Sequence, residues 1–513
     1  MHGSAGTTEA TRSIIDARFA LRSALYDAAL EILDGCEDWP APHNEQAAVV
    51  RSETLSRRDP IVALTYLTGV DDIFRTPEGR FARDLEAGRL YLAVRDFDSA
   101  GRRYAAARVL AGSVADGPAT MAYHDVRMMW ARRECNTDAP VFAAALAHRD
   151  PTVVAATYSY RAWFNAVAGD YGAQIADLRH GIAVEPVSAE PVDVYTRATM
   201  INALARVAFE TADTAGMQDA RGGDETLAWT PDVAHIRFET LRAIAWDAFM
   251  RGESGRAQWT FKEARSIAPS PAWRVQAHVD RAYVAFIARN DVWALEELGE
   301  ADRIARDVRW ETVKEERGGL VMLATLYAQV DPARAQRYAS LYTQIGVENL
   351  NPLYTLGTDR RSIADARFAQ ALIDLTLGRK DAAVPALVEA YGVYYAAQHH
   401  YRAARTAAAL AEVTGDERWR TASAAHANHY PDCPLATLAD EAVKRDEALP
   451  RRLSPLQRQI ARALLAGSDA AELSRRFSRS LYTIERQIAE VYEAFGVGSR
   501  GELLQEARTR GLA

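Results

Sequence analysis

Apolar residues recur at three- and four-residue spacing through most of the chain, and strict alternation is scarce. That pattern predicts helices, and the residues between them predict where each one stops. The reading is sharpest near the C-terminus. Ser454 ahead of Pro455 is an N-cap followed by the residue best tolerated at a first helical position, with Ile460, Leu464 and Leu465 as the apolar stripe and Gly467 as the C-cap. A second, short helix is expected over 470–477, where Leu473 and Phe477 share a face. Ser480 caps a third, whose buried face is Ile484, Ile488, Val491 and Phe495 and whose end is Gly496. Two helices joined by a tight turn, the second exposed along one flank, can lay that second helix in a major groove.

The long stretch ahead of this is rich in Ala, Leu and Arg and repeats a local unit: small and aromatic residues, a short turn, then an Ala-rich second helix. Its clearest copy runs from Ala162, Trp163 and Phe164 through Gly169 and Asp170 to Ile175, Leu178 and Pro186. A second passes through Ala245, Phe249, Gly252, Ala257 and Phe261 to Pro269, and an earlier one through Tyr91, Asp96, Ala100 and Tyr104. Further turns fall at Asn290-Asp291, Asp331-Pro332 and Arg379-Lys380-Asp381. The unit is similar to a tetratricopeptide repeat, terminal proline included, and recurs at roughly forty residues. The resemblance implies an all-α helical-repeat solenoid with a concave groove that senses or docks a peptide or protein partner. A rigid dimerisation scaffold is the alternative use of such repeats. The pattern assigns no individual residue to the groove.

The C-terminal segment resembles the helix-turn-helix domain of LuxR/FixJ-type transcriptional regulators without a gap. Leu453, Ser454 and Pro455 stand where that family opens, Gly467 where its first helix ends, and Glu472-Leu473 where it has Glu-Ile. Ser480, Thr483 and Ile484 match the entry to its recognition helix, and Gly496-Val497 with Ser499-Arg500 match the exit. The resemblance implies a transcriptional regulator that binds double-stranded DNA as a two-fold dimer, its final helix, 502–510, lying beside its mate. Leu503, Leu504 and Ala507 offer a seam for that pairing, or cover the domain's own core.

On the third helix the outward flank carries Tyr482, Glu485, Arg486, Ala489 and Glu490, with Glu493 beyond, and these are the candidate base-reading residues. Arg486 is the natural reader, because a guanidinium can bond two acceptors on a guanine edge. Arg475, Arg476, Arg479, Ser480 and Thr483 sit at the turn and helix entry, where side-chain donors and a helix N-terminus suit phosphate. The family's Lys after the helix entry is here Glu485, its His is Gln487, its Asn is Glu490 and a later Lys is Ala494. A carboxylate beside phosphates opposes binding, although Glu can accept from a cytosine amine. Charge nevertheless divides along the chain: residues 451–513 hold eleven Arg, no Lys and seven acids, a balance of +4, so the remainder carries −12 of the total −8. A positive module on an acidic body suits local docking on DNA, not a protein that coats it. The competing reading is a helical-repeat interaction scaffold whose helix-turn-helix no longer reads DNA.

These observations predict a helical-repeat body over 1–442, a linker over 443–452 marked by Pro450 and a DNA-binding domain over 453–513. The segment 1–11 is small and polar and is expected to be frayed. There is no phosphate-binding loop of the Gly-x-x-x-x-Gly-Lys-Ser/Thr type and no alternating strand-helix receiver, so control by ATP or aspartyl phosphate is not expected. Cys36, Cys135 and Cys433 lie far apart in a sequence without a signal peptide or long apolar span, which fits a reduced cytoplasmic protein with no membrane attachment. His426, His429 and Cys433, approached by His399 and His400, are the nearest thing to a metal-ligand cluster, but residues of this kind more often lie on helix surfaces, so neither metal nor cofactor is expected. No nucleophile with a matching base can be read, and an enzyme is not expected.

Overall fold

The structure, a computed structural model, describes residues 3–132, 134, 136, 140–186, 191–288, 290–313, 318–345, 360–430, 432–434, 450, 453–465, 468–477 and 479–509. Among the described residues there are 26 α-helices and no β-strand. The first part comprises α1 (Gly3–Arg22), α2 (Tyr26–Ile32), α3 (His43–Ser56), α4 (Pro60–Gly69), α5 (Pro77–Ala93), α6 (Phe97–Leu110), α7 (Gly117–Arg132) and α8 (Pro140–Leu146). The middle comprises α9 (Pro151–Ala168), α10 (Tyr171–Ile182), α11 (Val194–Thr211), α12 (Thr214–Thr226), α13 (Ala234–Met250), α14 (Ser254–Ser266), α15 (Pro271–Ile287) and α16 (Asp291–Ala305). Then follow α17 (Gly318–Val330), α18 (Pro332–Ile345), α19 (Arg360–Thr376), α20 (Lys380–Ala396), α21 (His400–Thr414) and α22 (Glu417–Ala427). The last four are α23 (Pro455–Leu465), α24 (Ala470–Phe477), α25 (Leu481–Phe495) and α26 (Arg500–Thr509).

Most of these helices pair as antiparallel hairpins, and the reason is written into each turn. Asp96, Asp170, Asp213 and Asn290 each accept a hydrogen bond from the backbone N–H of the helix they open, satisfying one of its four orphan donors. Gly169, at φ 83°, supplies the left-handed residue that ends α9 one position before Asp170 starts α10. Small residues on the facing sides let the axes approach. Ala100 and Ala107 of α6, Ala257 and Ala264 of α14, and Ala162 of α9 are all buried. Aromatics fill what remains: Phe164, Phe249 and Phe261 are almost wholly removed from water, each worth about 1.5–3 kcal/mol of burial.

The N-terminal segment departs from expectation. Helix α1 starts at Gly3, so 3–11 is helical rather than frayed; Ala10, Ile14, Ala17 and Leu21 form its buried stripe, and Thr11 bonds His43 on α3 at 2.9 Å. A tertiary stripe outweighed the weak local propensity of Ser, Gly and Thr.

The stacked hairpins do not form an open solenoid throughout. Helix α21 runs back against the start of the arc that begins with α11. Arg402 of α21 donates to Glu210 of α11 at 2.9 Å and to Asp365 of α19 at 2.7 Å, and the Tyr401 ring packs 4.6 Å from Phe209 of α11. Beyond α22, the Tyr430 hydroxyl donates to the Phe209 carbonyl, and Cys433 is buried with its Sγ 4.0 Å from the Met250 Sδ. The arc of α11, α13, α15, α17, α19 and α21 therefore closes on itself, and the expected groove becomes, in this stretch, a cavity.

Helices α23 to α26 share one apolar core: Leu453, Ile460, Leu464, Leu473, Ile484, Ile488, Val491, Phe495 and Leu503 are buried together. Ser454 and Gln457 exchange hydrogen bonds between side chain and backbone across the first turn of α23, a reciprocal cap. Ser480 accepts from the Thr483 N–H, and Gly496, at φ 74°, closes α25. Leu503 and Ala507 lie inside this core and so are not available as the dimer seam; Leu504 remains half-buried. Gly467, Cys135, almost all of the 443–452 linker and the Arg476 side chain lie outside the described residues.

Candidate functional site

The closed arc surrounds a cavity of about 350 Å³. Its walls are aromatic, with Phe209, Trp246, Phe368 and Tyr401 among them, and four arginines reach it from three helices. Two of these are committed. Arg402 binds Glu210 and Asp365 as described, and Arg242 donates to Asp280 at 2.6 Å and to Glu239 at 2.7 Å. Burial alone would lower the Arg402 pKa, but Asp365 and Glu210 beside it hold it well above its ordinary value. Burial raises Asp280, and Arg242 works against that rise. Arg405 differs: its guanidinium lies 5.1 Å from the Tyr283 ring centroid, 5.6 Å from Tyr401 and 5.7 Å from Phe368, and among the described residues it makes no ion pair. None of these lining residues was assigned from sequence. Arg402 finds Glu210 and Asp365, and Arg242 finds Asp280, on other helices, so no local spacing marks those pairs; Glu239, three residues before Arg242, shares its helix.

On the C-terminal unit the buried face of α25 leaves an outward flank. Tyr482 is 76% exposed, and Glu485, Arg486 and Ala489 are also exposed. At the entry, Arg475, Arg479 and Ser480 are exposed and Thr483 is half-buried. Ser474 Oγ donates to the Arg479 carbonyl at 2.6 Å and so fixes the turn that presents this end. Glu490 stands differently from its neighbours. It is half-buried and accepts from Gln457 of α23 and from Gln487 at 3.0 Å, with Arg486 Nε 3.6 Å away. Its carboxylate thus braces the flank, and the Arg486 pairing is a surface contact worth little.

Around α21 and α22 the histidines separate into two groups. His399 is buried with its Nδ1 3.2 Å from Glu210, whereas His400 meets His426 at 3.2 Å between Nδ1 atoms and stacks on His429 with centroids 3.5 Å apart. Cys433 packs against Met250 instead, and among the described residues no group of three or more His, Cys, Asp or Glu is arranged to hold a metal ion. Burial, helped by His429 and His426, pushes the His400 pKa from 6.5 down to about 4, and burial lowers that of His426. A histidine held neutral in the fold favours the unfolded chain wherever only the latter takes the proton. Stability from this group is complete above about pH 6.5 and is lost as pH falls toward about 4. His400→Gln should therefore flatten the drop in urea midpoint between about pH 7 and about pH 5. An unchanged drop would mean that other groups set it.

Among the described residues no helix is long and apolar enough to cross a membrane. No family model and no curated protein matches the chain. Among solved structures it is similar to that of a Rap protein complexed with competence and sporulation factor, at a TM-score of 0.41 and 11% sequence identity over 71% of this chain and 99% of the other.

Proposed function

We propose that this protein is a sequence-specific DNA-binding transcriptional regulator of the LuxR type. In this reading 453–513 binds double-stranded DNA, and the helical-repeat body, 1–442, senses or docks a peptide or protein partner. The observation that carries it is the flank of α25. Ile484, Ile488, Val491 and Phe495 complete the core on one side, which leaves Tyr482, Glu485, Arg486 and Ala489 turned out with no packing role, beside a Ser-capped N-terminus flanked by Arg475 and Arg479. Exposed side chains at that position suit base edges, and a helix N-terminus with arginines suits phosphate. A cytoplasmic protein acting as a homodimer on paired half-sites fits the same reading, with a dimer surface other than Leu503 and Ala507.

The second reading, an interaction scaffold that has lost DNA, draws on Glu485 and on the contact between Glu490 and Arg486, which offsets part of the reader's charge. Titration of the full-length protein with genomic fragments at increasing salt separates the two. The regulator reading expects retention that weakens as salt rises, because phosphate contacts release counterions. Arg486→Ala should then cost about 1–3 kcal/mol at the preferred site and relax one base position, while Arg479→Ala should weaken all sequences alike. No retention at low salt would leave the scaffold.

A further inference from the structure

The cavity inside the closed arc holds an imbalance that packing does not explain. Four carboxylates, Glu210, Glu239, Asp280 and Asp365, are taken up by Arg242 and Arg402. Arg405 receives none. Its neighbours are the Tyr401 hydroxyl at 3.2 Å, the weakly accepting Met322 sulfur at 3.8 Å and three aromatic faces. A guanidinium has five N–H donors, and these two contacts leave donors without a strong acceptor. Aromatic faces stabilise the cation and orient its plane, yet they satisfy none of its in-plane donors. Arg206, which also lines the cavity, is exposed, so the space reaches solvent at that edge.

We propose that this cavity binds a single carboxylate carried on an apolar group, with Arg405 as its acceptor-binding residue and the aromatic walls holding the apolar part. The proposal rests on the reading of the body as a docking module and names the chemistry it docks. A planar fork with free donors matches a carboxylate in two parallel hydrogen bonds. One spare guanidinium in the interior suits a monoanion; a phosphate dianion would meet four carboxylates nearby, and the other lining arginine without a carboxylate, Arg206, stands exposed at the solvent edge. A volume of about 350 Å³ lies at the small end of ligand sites, room for one or two residues or a small acid rather than a folded segment. Two sources carry this chemistry, the C-terminal residue of a peptide and a free hydrophobic acid.

Both are tested on the full chain, without DNA, using the fluorescence of Trp246 and its neighbours and calorimetry. The probes are N-acetyl-Leu-Phe as the free acid, the same dipeptide as its C-terminal amide, and 3-phenylpropionate. The free acid should bind and the amide should bind at least about 10-fold more weakly, the usual cost of losing a charged hydrogen-bond partner. Arg405→Gln should abolish that preference for the acid, and Arg405→Lys should keep part of it. Because Arg405 is partly buried, far-ultraviolet circular dichroism must show each variant folded; the acid-against-amide comparison in the unaltered protein decides the matter even if neither folds. Binding by the dipeptide acid alone assigns a peptide C-terminus, and equal binding by 3-phenylpropionate assigns a small acid. Equal affinity for acid and amide, with the amide binding, overturns the carboxylate site while leaving the docking reading intact. No binding by either acid below about 1 mM also overturns it, whatever the DNA titration gives.

Discussion

Replacing Arg402 by methionine is expected to lower the stability of the helical-repeat body by about 3–5 kcal/mol, the usual result of removing one partner from a buried charge network. The guanidinium holds Glu210, which is 3% exposed, and Asp365 at the point where α21 meets α11, so its loss takes the shared cation from both, leaving Glu210 beside His399 Nδ1 at 3.2 Å and Asp365 accepting from the Tyr394 hydroxyl at 2.6 Å. Methionine fills much of the arginine stem's volume and so removes charge without opening a large void. Either the seam opens to water or one carboxyl takes a proton, and both weaken closure of the arc. Urea unfolding followed by circular dichroism should show the fall in midpoint. The double variant Arg402→Met with Glu210→Gln should recover part of it, because one of the two charges that lost the guanidinium is then gone. A loss below about 1 kcal/mol would show that Phe209, Tyr401 and Tyr430 close the arc by apolar contact, with the ion pairs as exposed accessories.

What the sequence revealed and what it hid both follow from the range of the interactions. The turn at Gly169-Asp170 was legible because the left-handed glycine and the capping aspartate act on their own neighbours, and Asp96 and Asn290 signal in the same way. The buried face of α25 was legible because Ile484, Ile488, Val491 and Phe495 keep helical spacing. Closure of the arc was not, since Arg402 and Glu210 are 192 residues apart and each, read locally, is an ordinary charge on a helix. The cavity shares that difficulty, as its walls come from separate hairpins. Glu490 reads locally as one more outward residue, and only the fold brings Gln457, on another helix, to its carboxylate. Only the opening of α1 departs from the reading: 3–11 is small and polar and reads locally as frayed, but Ala10 continues the three- and four-residue spacing of Ile14, Ala17 and Leu21.

Phe495→Ala should separate the two ends of the molecule more completely than any change on the surface of α25. Phe495 is 4% exposed and closes the core built by α23 to α26, which among the described residues draws on 453 to 507. Truncating a buried phenylalanine costs about 3–5 kcal/mol, and a core serving fewer than about 70–80 residues rarely supplies more than that. The expected result is a C-terminal unit that no longer folds, seen as rapid proteolysis within 453–509, together with loss of all retention on DNA. The body, whose closure runs through Arg402 and Tyr430, should keep its urea midpoint. Arg486→Ala serves as the control, because an exposed side chain can be removed with protease resistance intact, so that any loss there reports contact rather than folding. If the Phe495 variant still holds DNA while its C-terminal unit is digested, the nucleic acid is bound by the acidic body. The flank of α25 would then lose its role as the reader.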